Sequence, residues 1–521
     1  MTQTASKQKL NKIEQAKAKK HPLLLKQELE HFASIGWEAM DEFERNQGLK
    51  WLGFFHRPVT PGKFMMRMRI PNGILTSGQM RVLAEIVQRY CQGAGFQDQG
   101  NADITTRQNL QLRGMRIEDL KEIFNRLLQA GMTCVQSGMD NVRNITGSPV
   151  AGIDAAELID TRGLVRNLQD TITNNGEGNL ELSSLPRKFN IAVAGGRDNS
   201  VHAELNDLGF LPAYKNGIIG FNVIVGGFFA PNQYVTAIPL NAWVAPEDVL
   251  ALSKAILLVF RDNGSRENRQ KCRLMHLIDE WGVEKFRSEV EKQLGHPLEP
   301  AAEKDEIDWE KRDHIGVYPQ KQPGLNYVGL HVPVGRLYAD EMFELARMAE
   351  VYGSGEIRLT VEQNLIIPNI PDSRLDPFLK EALLQERFTI NPEHLNRGLV
   401  SCTGSEFCNF AIIETKNRAL GMIKELEQEL IQPRPVRIHW TGCPNSCGQP
   451  QVADIGFIGT KARNKDGKTV EAVDIWMGGK VGKDAHLGKE VMKRVPCEDL
   501  KSVVRDLLIE HFGARPREDA R

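Results

Sequence analysis

Four cysteines near the C-terminal end of this 521-residue chain are the side chains with the clearest chemistry. Cys402 and Cys408 are separated by five residues, and Cys443 and Cys447 by three. Four thiolates are the usual ligands of an iron-sulfur cluster, but they also hold structural zinc. The spacing differs from ferredoxin runs and from the C-x2-C pairs of zinc ribbons. Spacing alone therefore leaves a cluster, a zinc site and redox thiols all open.

The residues around these cysteines form a longer pattern. Segments 402–416 (CTGSEFCNFAIIETK) and 439–457 (HWTGCPNSCGQPQVADIGF) resemble the enzymes that reduce nitrite or sulfite with siroheme and a 4Fe-4S cluster. Further segments are similar to the ferredoxin-dependent nitrite reductases of cyanobacteria and plants: WLGFFHRP (51–58), DITTRQNLQLRG (103–114), SGMDNVRN (137–144), LPRKFN (185–190), NRQKCR (268–273) and GSGEIRLTVEQN (353–364). The resemblance covers nearly everything after about residue 45.

The resemblance implies siroheme and a 4Fe-4S cluster as cofactors. It implies that all four thiolates hold the cluster and that Cys447 also bridges to the siroheme iron. It places four further residues in the pocket above that iron, where nitrite would bind and be reduced to ammonia: Arg107, Arg143, Lys188 and Asn190. Cations near the nitrite oxygens would stabilise the charge that builds with each electron, and a lysine can also deliver protons.

The clustered cations also have a reason in elementary electrostatics. Siroheme carries many carboxylates, and each needs a cation or several N–H donors once it leaves water. We predict Arg113 and Arg187 as carboxylate anchors, and Gln111 and Asn445 as further cofactor contacts. Any one of these arginines alone would more often be a solvated surface residue; their clustering in three short motifs argues against that.

Asn190 bears on the choice between nitrite and sulfite. Sulfite reductases typically have a second lysine here, giving PRKFK where this chain has PRKFN. Sulfite can carry one more negative charge than nitrite, and a unit charge pair at 4 Å is worth roughly 4 kcal/mol at an effective dielectric of 20. The less cationic pocket favours nitrite, with ferredoxin-dependent sulfite reduction as the alternative.

Composition is typical of a large soluble enzyme, and it excludes some classes. With 41% hydrophobic and 26% charged residues the chain can build several cores. A net charge of −1 gives no indication of nucleic-acid binding. The most apolar stretch, 217–230, is too short to span a bilayer, and we read it as a buried strand. The first arginine is Arg45, which argues against a transit peptide, so we expect a cytoplasmic protein.

An internal repeat organises the chain. Residues 70–90 align with 332–352, 105–112 with 360–367, and 205–210 with 452–457, at an offset of about 250 to 260 residues. On a strand from Asp103 to Arg113, alternation would put Arg107, Asn109, Gln111 and Arg113 on one face. The same alignment matches Lys188 and Asn190 with Arg437 and His439.

These patterns predict an α+β fold of three modules, built from a duplicated, pseudo-two-fold unit with mixed sheets and flanking helices. A helical arm would span 1–59, with 32–45 its most amphipathic part. Repeat halves 60–135 and 325–395 would pair into one ferredoxin-like domain. Segment 136–324 would form a siroheme and substrate-cation domain, and 396–521 the cluster domain.

Electrons must come from another protein, because no G-x-G-x-x-G fingerprint for a flavin or nicotinamide follows a strand. The resemblance implies reduced ferredoxin, with flavodoxin as a substitute donor, and a monomer. An acidic donor would dock on a local basic surface, for which the candidates are Lys461, Arg463, Lys465, Lys468, Lys480, Lys483, Lys489 and Lys493. The lysine-rich N-terminus is a weaker candidate. Two readings from other classes stay open: an iron-sulfur redox sensor and a structural zinc protein, both without siroheme.

Overall fold

The computed structural model describes residues 10–93, 100–231 and 233–517. Helices account for most of the segment from residue 12 to residue 52 and flank the sheets that follow. The helices are α1 (Lys12–Lys19), α2 (Leu29–Ala39), α3 (Glu42–Asn46), α4 (Ser77–Tyr90), α5 (Leu120–Gln129), α6 (Arg162–Thr173), α7 (Val249–Asn263), α8 (Leu274–Trp281), α9 (Val283–Leu294), α10 (Ala339–Tyr352), α11 (Asp372–Leu379), α12 (Ala382–Glu386), α13 (His394–Arg397), α14 (Lys416–Glu429) and α15 (Leu500–Phe512).

The strands alternate with these helices along the whole chain. They are β1 (Phe54–His56), β2 (Phe64–Arg67), β3 (Ile74–Thr76), β4 (Asn101–Ile104), β5 (Leu110–Met115), β6 (Thr146–Gly147), β7 (Ile191–Val193), β8 (Leu208–Lys215), β9 (Ile218–Val225), β10 (Phe228–Ala230), β11 (Gln233–Val235), β12 (Ile238–Val244), β13 (Glu299–Pro300), β14 (Gly316–Pro319), β15 (Leu325–Leu330), β16 (Arg336–Tyr338), β17 (Glu356–Leu359), β18 (Leu365–Pro371), β19 (Leu399–Ser401), β20 (Leu430–Ile431), β21 (Ile438–Thr441), β22 (Ile455–Arg463), β23 (Thr469–Met477), β24 (Lys489–Pro496) and β25 (Arg515–Pro516).

The first pair of equivalent sheets is joined by strand exchange. One sheet has the order β1-β2-β5-β4-β16 and the other β14-β15-β18-β17-β3, so each copy of the repeat gives its short strand to the sheet of the other. Helices α4 and α10 follow these exchanged strands, and their apolar faces share a single core with both sheets. The α+β class and the duplicated architecture predicted from the sequence are both present.

The second pair of sheets positions the chemistry. In the order β13-β12-β9-β8-β7-β6, strands β6, β7 and β8 are parallel, and in β19-β21-β22-β23-β24, strands β19, β21 and β22 are parallel. Each of these sheets has its own apolar core. Parallel strands end at the same edge, so the loops that follow β19 and β21 are neighbours.

Three local predictions need correction. The segment 103–113 is a hairpin, because Gln108 turns the chain at φ +52° between β4 and β5. Arg107 therefore lies in the turn and does not share a strand face with Arg113. The apolar stretch 217–230 forms two strands separated at Gly226, whose φ is +92°. The amphipathic segment 32–45 breaks after α2, where Asp41 caps α3.

The repeat register between the larger sections is also different from the sequence alignment. The backbone N–H of Asn190 donates to Asp207 at 2.8 Å, and the N–H of Arg437 donates to Asp454 in the same way at 2.8 Å. Strand β7 starts opposite Leu208, just as β21 starts opposite Ile455. The structural equivalent of Asn190 is therefore Arg437, two residues from the predicted match, because the backbone pairing fixes the register.

Candidate functional site

The four cysteines meet at one edge of the second-half sheet. Cys402 follows β19 and Cys443 follows β21, and these two strands are parallel neighbours. The backbone N–H of Cys402 donates to the carbonyl of Trp440 at 3.0 Å, which ties the two loops together. The pairing of β19 with β21 thus explains why two cysteine pairs that are distant in sequence converge.

The thiols form a mutually interacting group. Every pair among the four is close enough for electrostatic coupling. Burial, together with the neighbouring thiols, raises the pKa of Cys402 and Cys443, so at neutral pH these two side chains need a metal to become thiolates. Within the described part of the chain, no three His, Cys, Asp or Glu side chains are arranged to hold one metal ion directly.

Two sulfur atoms accept hydrogen bonds, as sulfurs of iron-sulfur centres do. The backbone N–H of Gly442 donates to Cys402 Sγ at 3.1 Å, and the side-chain amide of Asn445 donates to Cys443 Sγ at 3.3 Å. Asn445, predicted as a cofactor contact, therefore lies beside a thiol. Cys447 differs from the other three in being exposed. The hydroxyl of Thr106, which belongs to the first half of the chain, donates a hydrogen bond to the Cys447 carbonyl at 3.0 Å.

A group of half-buried cations, here called the cation pocket, lies beside the exposed thiol. Arg57, Arg67, Arg107 and Lys188 interact electrostatically with Cys447, and Lys50 and Arg143 are neighbours of these cations. Its members come from four separate segments: Lys50, Arg57, Arg67, Arg107, Arg143 and Lys188. None of the six forms an ion pair with a described carboxylate. The side chains of Arg107 and Lys188 make no hydrogen bond within the described residues either. Three of the predicted substrate residues thus lie in one uncompensated group.

The electrostatics of the cation pocket reflect this lack of partners. Burial, with repulsion from neighbouring arginines, lowers the pKa of Lys50 to about 7, of Arg67 to about 9 and of Arg107 to about 10. The same causes lower the pKa of Arg143 and Lys188 well below their ordinary values. Buried like charges are stable only if an anion compensates them. A ligand with several carboxylates fits this arrangement.

The fourth predicted substrate residue, Asn190, lies next to the pocket and has a spare acceptor. Its Oδ1 atom is buried without a hydrogen-bond partner. Its backbone is fixed by Asp207, which binds Arg273 through both carboxylate oxygens at 2.6 and 3.0 Å. The guanidinium of Arg273 lies over the Phe228 ring at 4.8 Å, and its Nη1 is also buried without a partner.

Arg113 and Gln111 have partners within the protein. Arg113 donates to Asp103 at 3.0 Å, to Gln111 at 3.0 Å and to Thr403 at 2.6 Å. Thr403 follows the first cluster cysteine, and the Arg113 guanidinium also lies 4.9 Å from the centre of the Phe407 ring. Arg113 therefore contacts the Cys402–Cys408 loop at two residues and stabilises its position. Its role as a carboxylate anchor stays a prediction.

Sequence reasoning missed Lys50, Arg57, Arg67, Asp207 and Arg273. Arg57 and Arg273 stand inside motifs quoted for the family resemblance, but nothing in their spacing relates them to Arg107 or Lys188. Arg67 lies at the end of β2. A signal was nevertheless present, because Arg67 is a cation inside the apolar run FMMRMRI, where a charged side chain is expected only with a partner.

Comparison with known families agrees with this site. The description "Nitrite and sulphite reductase 4Fe-4S domain" matches residues 138–298 and 394–521. The description "Nitrite/Sulfite reductase ferredoxin-like half domain" matches residues 56–130 and 318–384. The chain therefore belongs to the nitrite and sulphite reductase family, and the resemblance predicted from its sequence is confirmed.

Individual relatives are similar over the whole chain. The ferredoxin–nitrite reductase of Leptolyngbya laminosa is 67% identical over 98% of both chains, and that of Synechococcus elongatus is 62% identical over 99% of both. The chloroplastic ferredoxin–nitrite reductase of Zea mays is 53% identical and covers 98% of this chain and 90% of its own. The solved Mycobacterium tuberculosis NirA protein superposes with a TM-score of 0.87 at 30% identity, covering 98% of this chain and 95% of its own.

Proposed function

We propose that this protein reduces nitrite to ammonia with electrons from reduced ferredoxin. Each nitrite takes up six electrons and eight protons and yields one ammonium ion and two water molecules. The observation that carries the proposal is the uncompensated cation pocket beside the exposed Cys447 and its three partner thiols. A zinc protein or a redox sensor would have no use for these unpaired cations.

The two cofactors of the family fit the residues present. Cys402, Cys408, Cys443 and Cys447 would hold the 4Fe-4S cluster. The siroheme carboxylates would be held by Arg187 and by the pocket cations that do not serve nitrite, Lys50, Arg57 and Arg67. When bound, these groups supply an iron that takes nitrite and a store of single electrons next to it.

The protein side chains bind the oxyanion and move protons. Arg107 and Arg143 would stabilise charge on the nitrite oxygens, and Asn190 would add a neutral amide. Lys188 is suited to give up a proton, because burial and the nearby arginines lower its pKa well below the ordinary value of a lysine. Eight protons are consumed in each turnover, so a lysine that releases and regains a proton easily serves this reaction.

The test is direct. The purified protein should show siroheme absorption bands, bound iron and acid-labile sulfide, and it should convert nitrite to ammonia with reduced ferredoxin. Labile sulfide without siroheme would instead indicate an iron-sulfur sensor, and zinc without sulfide a structural zinc protein. Faster turnover of sulfite than of nitrite would favour the sulfite reductase alternative.

We propose that the donor docks on the basic surface formed by β22, β23 and their turn. Lys461, Arg463, Lys465 and Lys468 are exposed there and have no ion-pair partner among the described residues. Strand β22 passes the cluster loop at Gly459, where the Gly442 carbonyl leaves no room for a side chain. A strand advances about 3.3 Å per residue, so Lys461 is roughly 7 Å further on and Lys468 lies beyond the turn.

Charge reversal tests this surface. K461E should slow ferredoxin-driven turnover more than K468E does, because Lys461 is nearer to the cluster loop. Turnover with a small chemical reductant should not change in either variant. K254E on α7 is the control, because it reverses the charge of an exposed lysine outside the proposed docking surface. Unchanged ferredoxin kinetics in K461E would exclude the surface, and the same assay with flavodoxin would show whether that donor uses it.

Localisation and assembly complete the proposal. Among the described helices, none combines the length and the apolar character that crossing a bilayer requires. We infer a cytoplasmic monomer, as the resemblance implies. Sedimentation at the mass of two chains would contradict the monomer.

A further inference from the structure

Helix α1 buries two charged side chains that the proposed reaction does not use. Glu14 is 6% and Lys17 is 7% exposed. They form an ion pair with each other, and Arg266 also binds Glu14 at 2.8 Å. Burying a lysine on a short helix costs free energy that a surface lysine would not cost. The position of its ammonium group therefore calls for an explanation.

Lys17 reaches into the structure behind the cation pocket. Its Nζ atom lies 3.4 Å from the carboxylate of Asp140 and donates to the carbonyl of Leu185 at 3.3 Å. Asp140 stands in the segment that also carries Arg143, and Leu185 stands in the segment that carries Lys188. Helix α1 thus joins two segments that each give a cation to the pocket.

Asp140 is shared among three cations. It is fully buried, and Arg269 binds both of its oxygens at 2.6 and 2.8 Å. The Nη1 atom of Arg187 is also near, at 3.9 Å. Arg187 makes one other contact, from Nε to the carbonyl of Arg269 at 3.3 Å, and its side chain is 29% exposed. Arg187 is therefore the most distant of the three cations and pairs with Asp140 only loosely.

We propose that Lys17 is a positioning residue that keeps Arg187 available for a carboxylate of the siroheme. Lys17 and Arg269 together saturate the single negative charge of Asp140. If Lys17 were absent, Arg187 would be the next nearest cation after Arg269. It would move the short distance onto Asp140, away from the cofactor. A charge-assisted contact at 2.8 Å is much stronger than an approach at 3.9 Å. This inference rests on the proposed function, because it assumes that siroheme is bound.

A purely structural role for Lys17 predicts something different. An ordinary buried ion pair would lower the thermal stability when it is broken, and it would have no particular relation to Arg187. The positioning role couples the two residues, and a double-mutant cycle measures that coupling. The useful readout is how long the purified holoenzyme retains siroheme. The rate at which the siroheme absorption bands disappear during dialysis measures this retention.

The experiment compares single and double variants. K17M should lose siroheme about ten times faster than the wild type, and K17R should restore slow loss because the charge returns. R187M should lose siroheme about as fast as K17M, and K17M with R187M should be no faster than either alone. K19M, at an exposed lysine of the same helix, is the matched control and should behave as the wild type.

Two outcomes would overturn the proposal. One is a lowered melting temperature in K17M with siroheme retention unchanged. The other is a double variant that loses siroheme faster by the product of the two single accelerations, because Lys17 would then act independently of Arg187. If K17M does not fold, K17M with D140N decides: removing the charge that attracts Arg187 should restore folding and retention, and failure to do so contradicts the proposal. Absence of siroheme from the wild-type protein would instead contradict the proposed function.

Discussion

The cation pocket and its counterpart in the second copy of the repeat balance their charges in different ways. Arg107 of the first copy corresponds to Glu362, since Gln108 and Gln363 make the same turn at φ +52° and +64°. Glu362 has Lys311 at 3.1 Å and His202 at 4.0 Å. Arg437, the equivalent of Asn190, lies 3.5 Å from Asp454. Each of these two charges of the second copy thus has a partner within the protein, and the partners of Glu362 come from the first half of the chain.

The difference shows which copy needs a ligand. In the counterpart, burial disfavours the carboxylate of Glu362, but Lys311, His202 and Arg437 together more than offset this and lower its pKa to about 2. In the cation pocket no described carboxylate lies within ion-pair distance. Asp207 and Asp140 offset only part of the burial of Arg107 and Arg143, so the pKa values of the cations are lowered. A duplicated fold has therefore kept one site neutral by itself and left the other to be neutralised by an anionic cofactor. Exchanging equivalent residues between the two copies tests this view.

The largest effect is expected from R107E, which gives the first copy the residue of the second. A carboxylate would replace a cation among siroheme carboxylates and nitrite, and a unit charge interaction at about 4 Å is worth roughly 4 kcal/mol at an effective dielectric of 20. Allowing for screening, nitrite turnover should fall at least about 100-fold. Steady-state ammonia formation and the siroheme content per chain measure it.

E362Q is the matched control for R107E. It removes a charge at the equivalent position of the second copy, where no siroheme carboxylate is bound in our proposal. Nitrite turnover should stay within about twofold, although the fold loses the stabilisation that Lys311 gives Glu362. Equal losses of turnover in R107E and E362Q would show that the two copies do not divide the work as we propose.

The next largest effect is expected on stability, from E204Q. This variant gives the first copy the residue type of its equivalent in the second copy, Gln451. Burial raises the pKa of Glu204 to about 7. Because this is above the unfolded value, near 4.5, ionised Glu204 opposes folding above pH 7 by on the order of 3 kcal/mol, and the penalty fades as the pH falls toward 4.5. E204Q should therefore raise the melting temperature at pH 8 and change it little at pH 5.

The control for E204Q is E362Q, which should change the melting temperature in the opposite direction. The folded pKa of Glu362 is depressed to about 2, so its stabilising contribution is complete above pH 4.5 and lost as the pH falls toward 2. E362Q should lower the melting temperature at pH 8. A pH-independent shift in E204Q would indicate that Glu204 does not titrate as its burial predicts.

These equivalences also show how far the sequence alone could go. The duplication was visible because strand and helix patterns repeat, and the resemblance indicated the cofactors. The hairpin at Gln108 was missed because its residues alternate as in a single strand, and only the backbone shows the turn at φ +52°. The register of Asn190 was missed by two residues because it depends on hydrogen bonds to Asp207. Lys50 and Arg67 were missed because their proximity to Arg143 depends on how separate segments of the chain pack.

A smaller effect is expected from N190K, which puts a cation where the second copy has Arg437. The fold already holds a longer cation at that equivalent position, and the Oδ1 atom of Asn190 is buried without a partner. A unit charge pair at 4 Å is worth roughly 4 kcal/mol at an effective dielectric of 20. Even a quarter of that energy, about 1 kcal/mol, would raise the sulfite-to-nitrite ratio of kcat/KM roughly fivefold. N190M, similar in length but uncharged, is the control. Equal loss of both activities in N190K would contradict this account of substrate preference.

The smallest effect is expected at Asn445, whose equivalent in the first copy is Asp198. Asn445 donates to Cys443 Sγ at 3.3 Å, whereas Asp198 accepts from His314 at 2.6 Å and has no thiol beside it. A donor to sulfur stabilises the reduced cluster, so N445L should lower the midpoint potential by about 40 mV if the hydrogen bond contributes about 1 kcal/mol. N445D should lower it further, since it adds a negative charge next to the thiolate. A redox titration followed by electron paramagnetic resonance measures both, and the siroheme bands serve as the control for intact loading. A rise of the potential in N445D would mean that the amide does not act on the cluster, and the loop would then differ between the two copies only in its cysteines.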